Sequence, residues 1–131
     1  MKKQITVVGA VIVRDGLVYC ARRGAQRALP GMWEFPGGKV EAGESFENAL
    51  VREIGEELGC TVTVLGPLET TTHEYEFAIV TLATFLCDLA AGEPRSNEHA
   101  EEVWLPTGQL NLLDWAPADI PAVEKLRGMS V

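Results

Sequence analysis

The stretch from Ile5 to Val13 is almost continuously apolar and rich in β-branched residues, which predicts a strand over about 4–13. Arg14-Asp15-Gly16 reads as a turn, and the apolar residues that follow predict a second strand over 17–22, forming a hairpin with the first. A polar, Gly- and Pro-containing stretch over about 23–36 reads as a loop. The period then changes. Leu50, Ile54 and Leu58 recur every four residues, the spacing of one face of a helix. Ser45 is placed to cap that helix, Glu47 puts negative charge in its first turn, and Gly59 suits the position just past its end. Further strands are expected near 61–70, 73–79 and 80–88. A loop over 90–94, a short strand over 102–105 and a closing helix over 117–127 follow. Strands mixed with two helices suggest an α/β fold whose sheet is covered on both faces.

A chain of 131 residues is expected to form one domain, 1–131, with a core of its own. Eleven basic against 19 acidic residues give a net charge of −8, which argues against a polymeric nucleic acid or an anionic membrane as partner. Cys20, Cys60 and Cys87 form no close pair and are odd in number, as for reduced thiols in a cytoplasmic protein. Lys2 and Lys3 before an apolar run superficially mimic a secretory signal, but the run is short and β-branched and ends in a turn. No segment approaches the roughly 20 apolar residues needed to span a bilayer.

The candidate chemistry is concentrated in Arg52-Glu53-Ile54-Gly55-Glu56-Glu57. At about 100° per residue, Glu56 lies ~60° to one side of Glu53 and Glu57 ~40° to the other, so three carboxylates share one helix face. Like charges that close raise each other's pKa and oppose folding. Hard divalent cations relieve that repulsion, since they take oxygen ligands and bridge carboxylates to substrate phosphates. A solvated acidic face would have the same spacing, and an ion pair to Glu56 is the plain reading of Arg52.

The surroundings favour the metal. Gly37-Gly38-Lys39-Val40-Glu41-Ala42-Gly43-Glu44, seven further residues, then Arg52-Glu53-Ile54, Glu56-Glu57 and Gly59-Cys60 together resemble the Nudix box. That box is the signature of hydrolases that cleave a nucleoside diphosphate linked to another group. Cys60 stands where the family usually has an aliphatic residue, and a buried cysteine behaves as a small hydrophobe. Outside the box, Arg22-Arg23, Trp33-Glu34-Phe35-Pro36, Gly92-Glu93-Pro94, Glu98 and Trp115 to Pro121 are similar to the MutT/NudG branch along most of the chain.

The resemblance implies an α/β/α sandwich with a mixed, partly barrel-like sheet. It also implies Mg²⁺-dependent hydrolysis, with Mn²⁺ as an alternative, of a nucleoside triphosphate to monophosphate and pyrophosphate. By position it implies that Gly37 (through its carbonyl), Glu53, Glu56, Glu57 and Glu98 hold metal. Glu53 or Glu98 would be the base, Arg52 would orient a catalytic glutamate, and Glu44 would support the site. Arg23, Phe35, Gly38, Lys39, Tyr75, Phe77 and Asp119 become the candidates for substrate binding.

Several of these residues have a plain alternative. Arg23 could be an ordinary surface arginine after a strand, and Glu98 sits in an acidic stretch with Glu101 and Glu102. Trp33, Phe35, Tyr75 and Phe77 could line a slot for a base or simply fill the core. Asp119 stands where MutT has an asparagine that reads oxidised guanine, and NudG-like proteins, which prefer cytosine nucleotides, have aspartate. Its ionised carboxylate could accept from the amino group of cytosine or from N1–H and N2–H₂ of guanine, or it could merely cap the last helix. The substrates expected are therefore 8-oxo-dGTP or cytosine nucleotides (CTP, dCTP, 5-methyl-dCTP). Another nucleoside diphosphate derivative, such as a sugar conjugate, a dinucleoside polyphosphate or capped RNA, is the alternative. A non-catalytic nucleotide sensor is disfavoured because every box glutamate is present. A monomer or weak dimer is expected.

Overall fold

The computed structural model describes residues 2–96 and 98–131. Its strands are β1 (Lys3–Arg14), β2 (Leu17–Arg23), β3 (Trp33–Glu34), β4 (Gly37–Lys39), β5 (Thr61–Glu74), β6 (Ala78–Ala91) and β7 (His99–Pro106). The helices are α1 (Phe46–Leu58) and α2 (Ile120–Arg127), with 3-10 turns at Thr107–Leu112 and Pro117–Asp119.

β1 organises the sheet. Along one edge it pairs in parallel with β6 from Lys3 to Val13, and β6 pairs antiparallel with β5. Along the other edge, β2 pairs with it only beside the hairpin, at Val13 and Arg14. The two strands then diverge, and residues 33–39 fill the fork between them. Trp33 and Glu34 pair with β2, Gly37 to Lys39 pair with β1, and Pro36 between them accepts a bond from the Ala10 N–H at 2.8 Å. β7 lines the far edge of β2. The sheet is therefore mixed.

Strand alternation decides what each face meets. Val8, Ala10 and Ile12 of β1 join Ala49, Leu50, Ile54 and Leu58 of α1 in one core. Val11 points the other way, into a second core with Trp33, Phe35, Trp115 and the α2 residues Ala122, Val123 and Leu126. One helix thus covers each face, and the expected α/β/α sandwich forms.

The capping expectations hold. The Ser45 hydroxyl accepts from the Asn48 N–H at 3.1 Å, and Gly59 takes the left-handed conformation with φ 67°. Cys60, Cys20 and Cys87 are all buried and unpaired.

Several boundaries differ from the sequence reading. The strand expected at 61–70 runs on to Glu74 as β5, with register shifts at Leu65 and Leu68, and the strand expected at 73–79 is split by the turn, its last residues Ala78 and Ile79 opening β6. The expected loop over 23–36 contains β3, because the fork leaves unpaired backbone on β2 for it to satisfy. The strand expected at 102–105 begins at His99, and the helix expected from 117 opens with a 3-10 turn before Ile120. The segment Thr107–Leu112, which showed no clear period, forms a 3-10 turn with Leu110 fully buried.

Ile54 is 0 % exposed in the core beneath the carboxylate face. Ile54→Ala should therefore cost about 2–5 kcal/mol in urea unfolding. A loss below about 1 kcal/mol would mean that α1 is not anchored there.

Candidate active site

The Gly37–Gly38 backbone is squeezed between a strand and a helix. A Cβ on Gly37 would collide with the carbonyl of Val8, and one on Gly38 with the carboxylate of Glu53. Glycine is needed here for close approach, so β4 can pair with β1 while α1 lies directly against it.

Arg52 gathers the acidic groups around this contact. Its Nε and Nη2 donate to the two Glu44 oxygens at 2.7 and 3.0 Å, and its Nη1 donates to Glu53 at 2.7 Å and Glu56 at 3.2 Å. Nη2 also reaches the Lys39 carbonyl at 3.1 Å. The i,i+4 pair with Glu56 exists, but the shorter bonds go to Glu44 and Glu53. Glu44 further accepts the Glu41 N–H at 3.0 Å. The hydrogen bonds from Arg52, with that of Glu41, hold its carboxyl down at about 2.

The three helix carboxylates do not converge as the helix spacing suggested. Among the described residues no three acidic, histidine or cysteine side chains form a ready metal cage. Glu53 turns to Gly38 and Arg52, Glu56 remains mostly in solvent, and Glu57 is buried on the side of β7. Glu53 and Glu56 meet on the same Arg52 Nη1, whereas Glu57 parts from them toward His99. Burial pushes the Glu57 carboxyl up to about 7, with Glu34 and Glu98 adding to the rise and His99 and Arg27 opposing it.

Beside Glu57 lies a cluster that sequence reasoning missed. Glu34 receives Nη1 of Arg23 on one oxygen, and on the other Nη1 of Arg27 at 3.1 Å and Nε2 of His99 at 2.8 Å. The His99 side chain is fully buried, and its Nδ1 lies 2.6 Å from Ser96 Oγ and 3.6 Å from Glu57. Burial pulls the Glu34 carboxyl upward, but His99, Arg23 and Arg27 outweigh it and hold it below the usual range. The signal available in the sequence was Glu34 itself, a charge between Trp33 and Phe35, which are both buried. His99 carried none beyond its place beside Glu98. Glu98 is exposed, at the entry to β7, near enough to Glu57 to act on it electrostatically.

A cavity of about 260 Å³ opens from this cluster. Gly37, Gly38 and Lys39 line one part of it, Arg23, Arg27 and Glu34 another, and Phe35, Tyr75, Phe77 and Asp119 the remainder. Tyr75 and Phe77 are stacked, with centroids 5.1 Å apart and planes 10° from parallel, and Phe77 is 52 % exposed at the turn between β5 and β6. The Tyr75 hydroxyl accepts the Ala118 N–H at 2.8 Å. Every substrate candidate therefore meets at one cavity. Trp33 does not line it and packs in the second core with Phe35 and Trp115.

Asp119 is not a cap. It occupies the N-cap position of α2, but its backbone is already helical (φ −86°, ψ −19°) and its side chain caps nothing. Instead Oδ1 accepts the Phe35 N–H at 3.1 Å, and the other oxygen, with no protein partner, opens on the cavity. Burial pushes this carboxyl up to about 8, with Glu34 adding to the rise and the Phe35 N–H and Arg23 opposing it. Burial thus favours the protonated form over the expected ionised carboxylate, because the aromatic cavity removes the water that would stabilise its charge.

The Nudix domain profile matches residues 3–126. The chain belongs to the Nudix family. It is 41 % identical over 120-odd residues to the CTP pyrophosphohydrolase of Escherichia coli, covering 93 % of this chain and 90 % of that one. It is also 35 % identical to the 8-oxo-dGTP diphosphatase of the same organism, covering 97 % and 98 %. The solution structure of MutT from methicillin-resistant Staphylococcus aureus superposes with a TM-score of 0.81 at 50 % identity, covering 98 % of each chain. This Nudix protein is a MutT-like nucleotide pyrophosphohydrolase, an enzyme that acts on small nucleotide substrates. Nudix hydrolases use divalent metal ions, and the groups here fit such an ion: the donors are hard oxygens, and a glycine cradle brings Glu53 against backbone. No helix among the described residues is long and apolar enough to cross a membrane.

The raised carboxyls set the pH dependence of the metal-free protein. Asp119 and Glu57 have folded-state values above their unfolded ones, so the folded state holds more protons between about 4 and 8. Stability from these groups is greatest below that window and falls as pH rises through it. Asp119→Asn mimics the neutral acid and keeps an acceptor for Phe35. Urea midpoints measured from pH 4.5 to 8.5 should fall less steeply for Asp119→Asn than for wild type. Parallel curves would show that Asp119 is ionised throughout.

Proposed function

We propose that the enzyme is a Mg²⁺-dependent nucleoside triphosphate pyrophosphohydrolase that removes 8-oxo-dGTP or cytosine nucleotides from the nucleotide pool. The observation that carries this reading is the position of Asp119. It lies in a cavity lined by Phe35, Tyr75 and Phe77 and also by Gly37 to Lys39, where Gly38 lies against Glu53 of the carboxylate helix. A nucleoside triphosphate has the same two-part chemistry, a flat base and an anionic tail. The names of the relatives, one a CTP pyrophosphohydrolase and another an 8-oxo-dGTP diphosphatase, support these two substrate classes.

In this reading Glu53, Glu56, Glu57 and Glu98 hold Mg²⁺ with the Gly37 carbonyl, and Mn²⁺ can replace it. The ion supplies charge neutralisation for the phosphates and activation of water. Glu53 or Glu98 would be the base for the attacking water. Arg52 keeps Glu53 and Glu44 in place. Arg23, already lining the cavity, moves part of its charge from Glu34 to the substrate's phosphate or sugar, with Lys39 at the opposite edge. Phe77 stacks on the base. A base donor favours the ionised form of Asp119 and a base acceptor meets the protonated one, so the carboxyl reads the base edge.

Nucleoside monophosphate release from 8-oxo-dGTP, CTP, dCTP, 5-methyl-dCTP, dTTP and ADP-ribose with Mg²⁺, with pyrophosphate as co-product from the triphosphates, is the deciding experiment. A preference for ADP-ribose over every triphosphate would overturn the reading. Asp119→Asn can only donate at the position facing the cavity, so the preferred amino-bearing base should lose about ten- to a hundredfold in kcat/KM, with dTTP little changed. Equal effects across the panel would remove Asp119 from base recognition.

Glu56→Gln and Glu57→Gln should each lower Mg²⁺-dependent turnover by roughly a hundredfold or more while the protein stays folded. Wild-type turnover in both would exclude the metal role. Glu98→Gln should depress kcat far more than it raises KM, with Glu101→Gln, whose partner is the exposed Arg22, as the control.

A further inference from the structure

Glu98 is exposed, yet the backbone that carries it is tied down by bonds with a definite direction. The Arg95 N–H donates to the Leu58 carbonyl at the end of α1, at 3.0 Å. The Ser96 N–H donates to Glu102 at 3.0 Å, and Glu102 is itself held by the Tyr19 hydroxyl. The Ser96 hydroxyl oxygen accepts two backbone N–H groups, those of Glu98 and His99, both at 3.2 Å.

The direction of the remaining bonds follows from which groups can donate. Ionised Glu34 can only accept, so His99 Nε2 carries the proton shared with it at 2.8 Å. The N–H groups of Glu98 and His99 take the two lone pairs of the Ser96 oxygen, so its O–H is left to donate to His99 Nδ1 at 2.6 Å. A single chain therefore runs from the Glu98 N–H through Ser96 and His99 to Glu34. Each member is satisfied, and its far end is a wall of the nucleotide cavity, where Glu34 also holds Arg23 and Arg27. Such a network fixes one geometry, because losing any member leaves a buried polar group unpaired.

We propose that Ser96 and His99 are positioning residues, which hold the backbone of Glu98 in register with the nucleotide cavity through Glu34. The proposal rests on the reading of Glu98 as metal ligand or base. Neither residue touches substrate in it, and both act through Glu98. Supporting side chains of this kind orient the groups that do the chemistry, and their removal costs turnover more than binding.

The test compares Ser96→Ala, Ser96→Thr, Glu98→Gln and the Ser96→Ala/Glu98→Gln double variant, with Mg²⁺ and the preferred nucleotide. Ser96→Ala should lower kcat by about tenfold or more with KM within roughly twofold, and should speed amide exchange at Glu98 and His99. Ser96→Thr keeps the hydroxyl and should restore both. The double variant should be no slower than Glu98→Gln, since the serine acts through that residue. Should Ser96→Ala fail to fold, His99→Gln retains an N–H for Glu34 without the ring acceptor, and should show the same kcat loss. An impaired Glu98→Gln beside a Ser96→Ala of wild-type kcat overturns the positioning role alone. Multiplying losses in the double variant, or no recovery in Ser96→Thr, also overturn it. Wild-type turnover in Glu98→Gln overturns the assignment of Glu98, and the positioning role with it.

Discussion

There is no room for a side chain at Gly37 or Gly38, and most of the candidate site depends on that. Val8 of β1 closes on one glycine and Glu53 of α1 on the other, so strand, loop and helix meet backbone to carboxylate. Two consequences follow from the same contact. β4 can complete the inner edge of β1 where β2 has left it, and Glu53 of α1 comes to rest against Gly38, which lines the cavity. A side chain at Gly37 would meet the β1 backbone and part β4 from β1, and one at Gly38 would displace the Glu53 carboxylate.

The second organising constraint is charge. A protein of net charge −8 that handles an anionic substrate must first keep its own carboxylates together. It does so with two basic hubs of different kinds. Arg52 holds Glu44, Glu53 and Glu56 near the surface, using the planar fork of guanidinium to serve several carboxylates at once. Glu34 is the inverse case: one carboxylate, largely out of water, receives Arg23, Arg27 and His99. Fully partnered, it stays ionised. Glu57 and Asp119, with less compensation, are pushed toward the neutral form by the same burial. Neighbouring carboxyls thus differ in charge state because their partners differ.

These two hubs connect the halves of the site. Arg52 links α1 to the Lys39 carbonyl, and Glu34 links the arginines of the cavity to His99 at the start of β7. The cavity and the Arg52 cluster therefore share a common segment, residues 33–39, set in the fork between β1 and β2. That arrangement lets one short segment carry Glu34, Phe35 and the glycine cradle.

Much was legible in the chain because it is local. Helix α1, its Ser45 cap and its Gly59 stop depend on bonds within a few residues, and the Leu50, Ile54 and Leu58 stripe needs only the helical period. The glycine-and-glutamate spacing from Gly37 to Glu57 pointed to the family, and the Arg14–Gly16 turn to the opening hairpin. Other features were decided only by tertiary structure. The length of β5 follows from β6 lying beside it, and β3 exists because β1 and β2 separate. Whether the aromatics were core or cavity depended on what the folded chain packed against each: Trp33 lies in the core, Phe35 packs in that same core and also lines the cavity, and Tyr75 and Phe77 line the cavity. The parting of Glu57 toward His99, the buried Asp119 facing Phe35, and the Glu34–His99–Ser96 chain all join residues far apart in sequence. Local spacing determines which face a side chain occupies, but its partner and its charge state depend on what the folded chain brings against it and how much water is left.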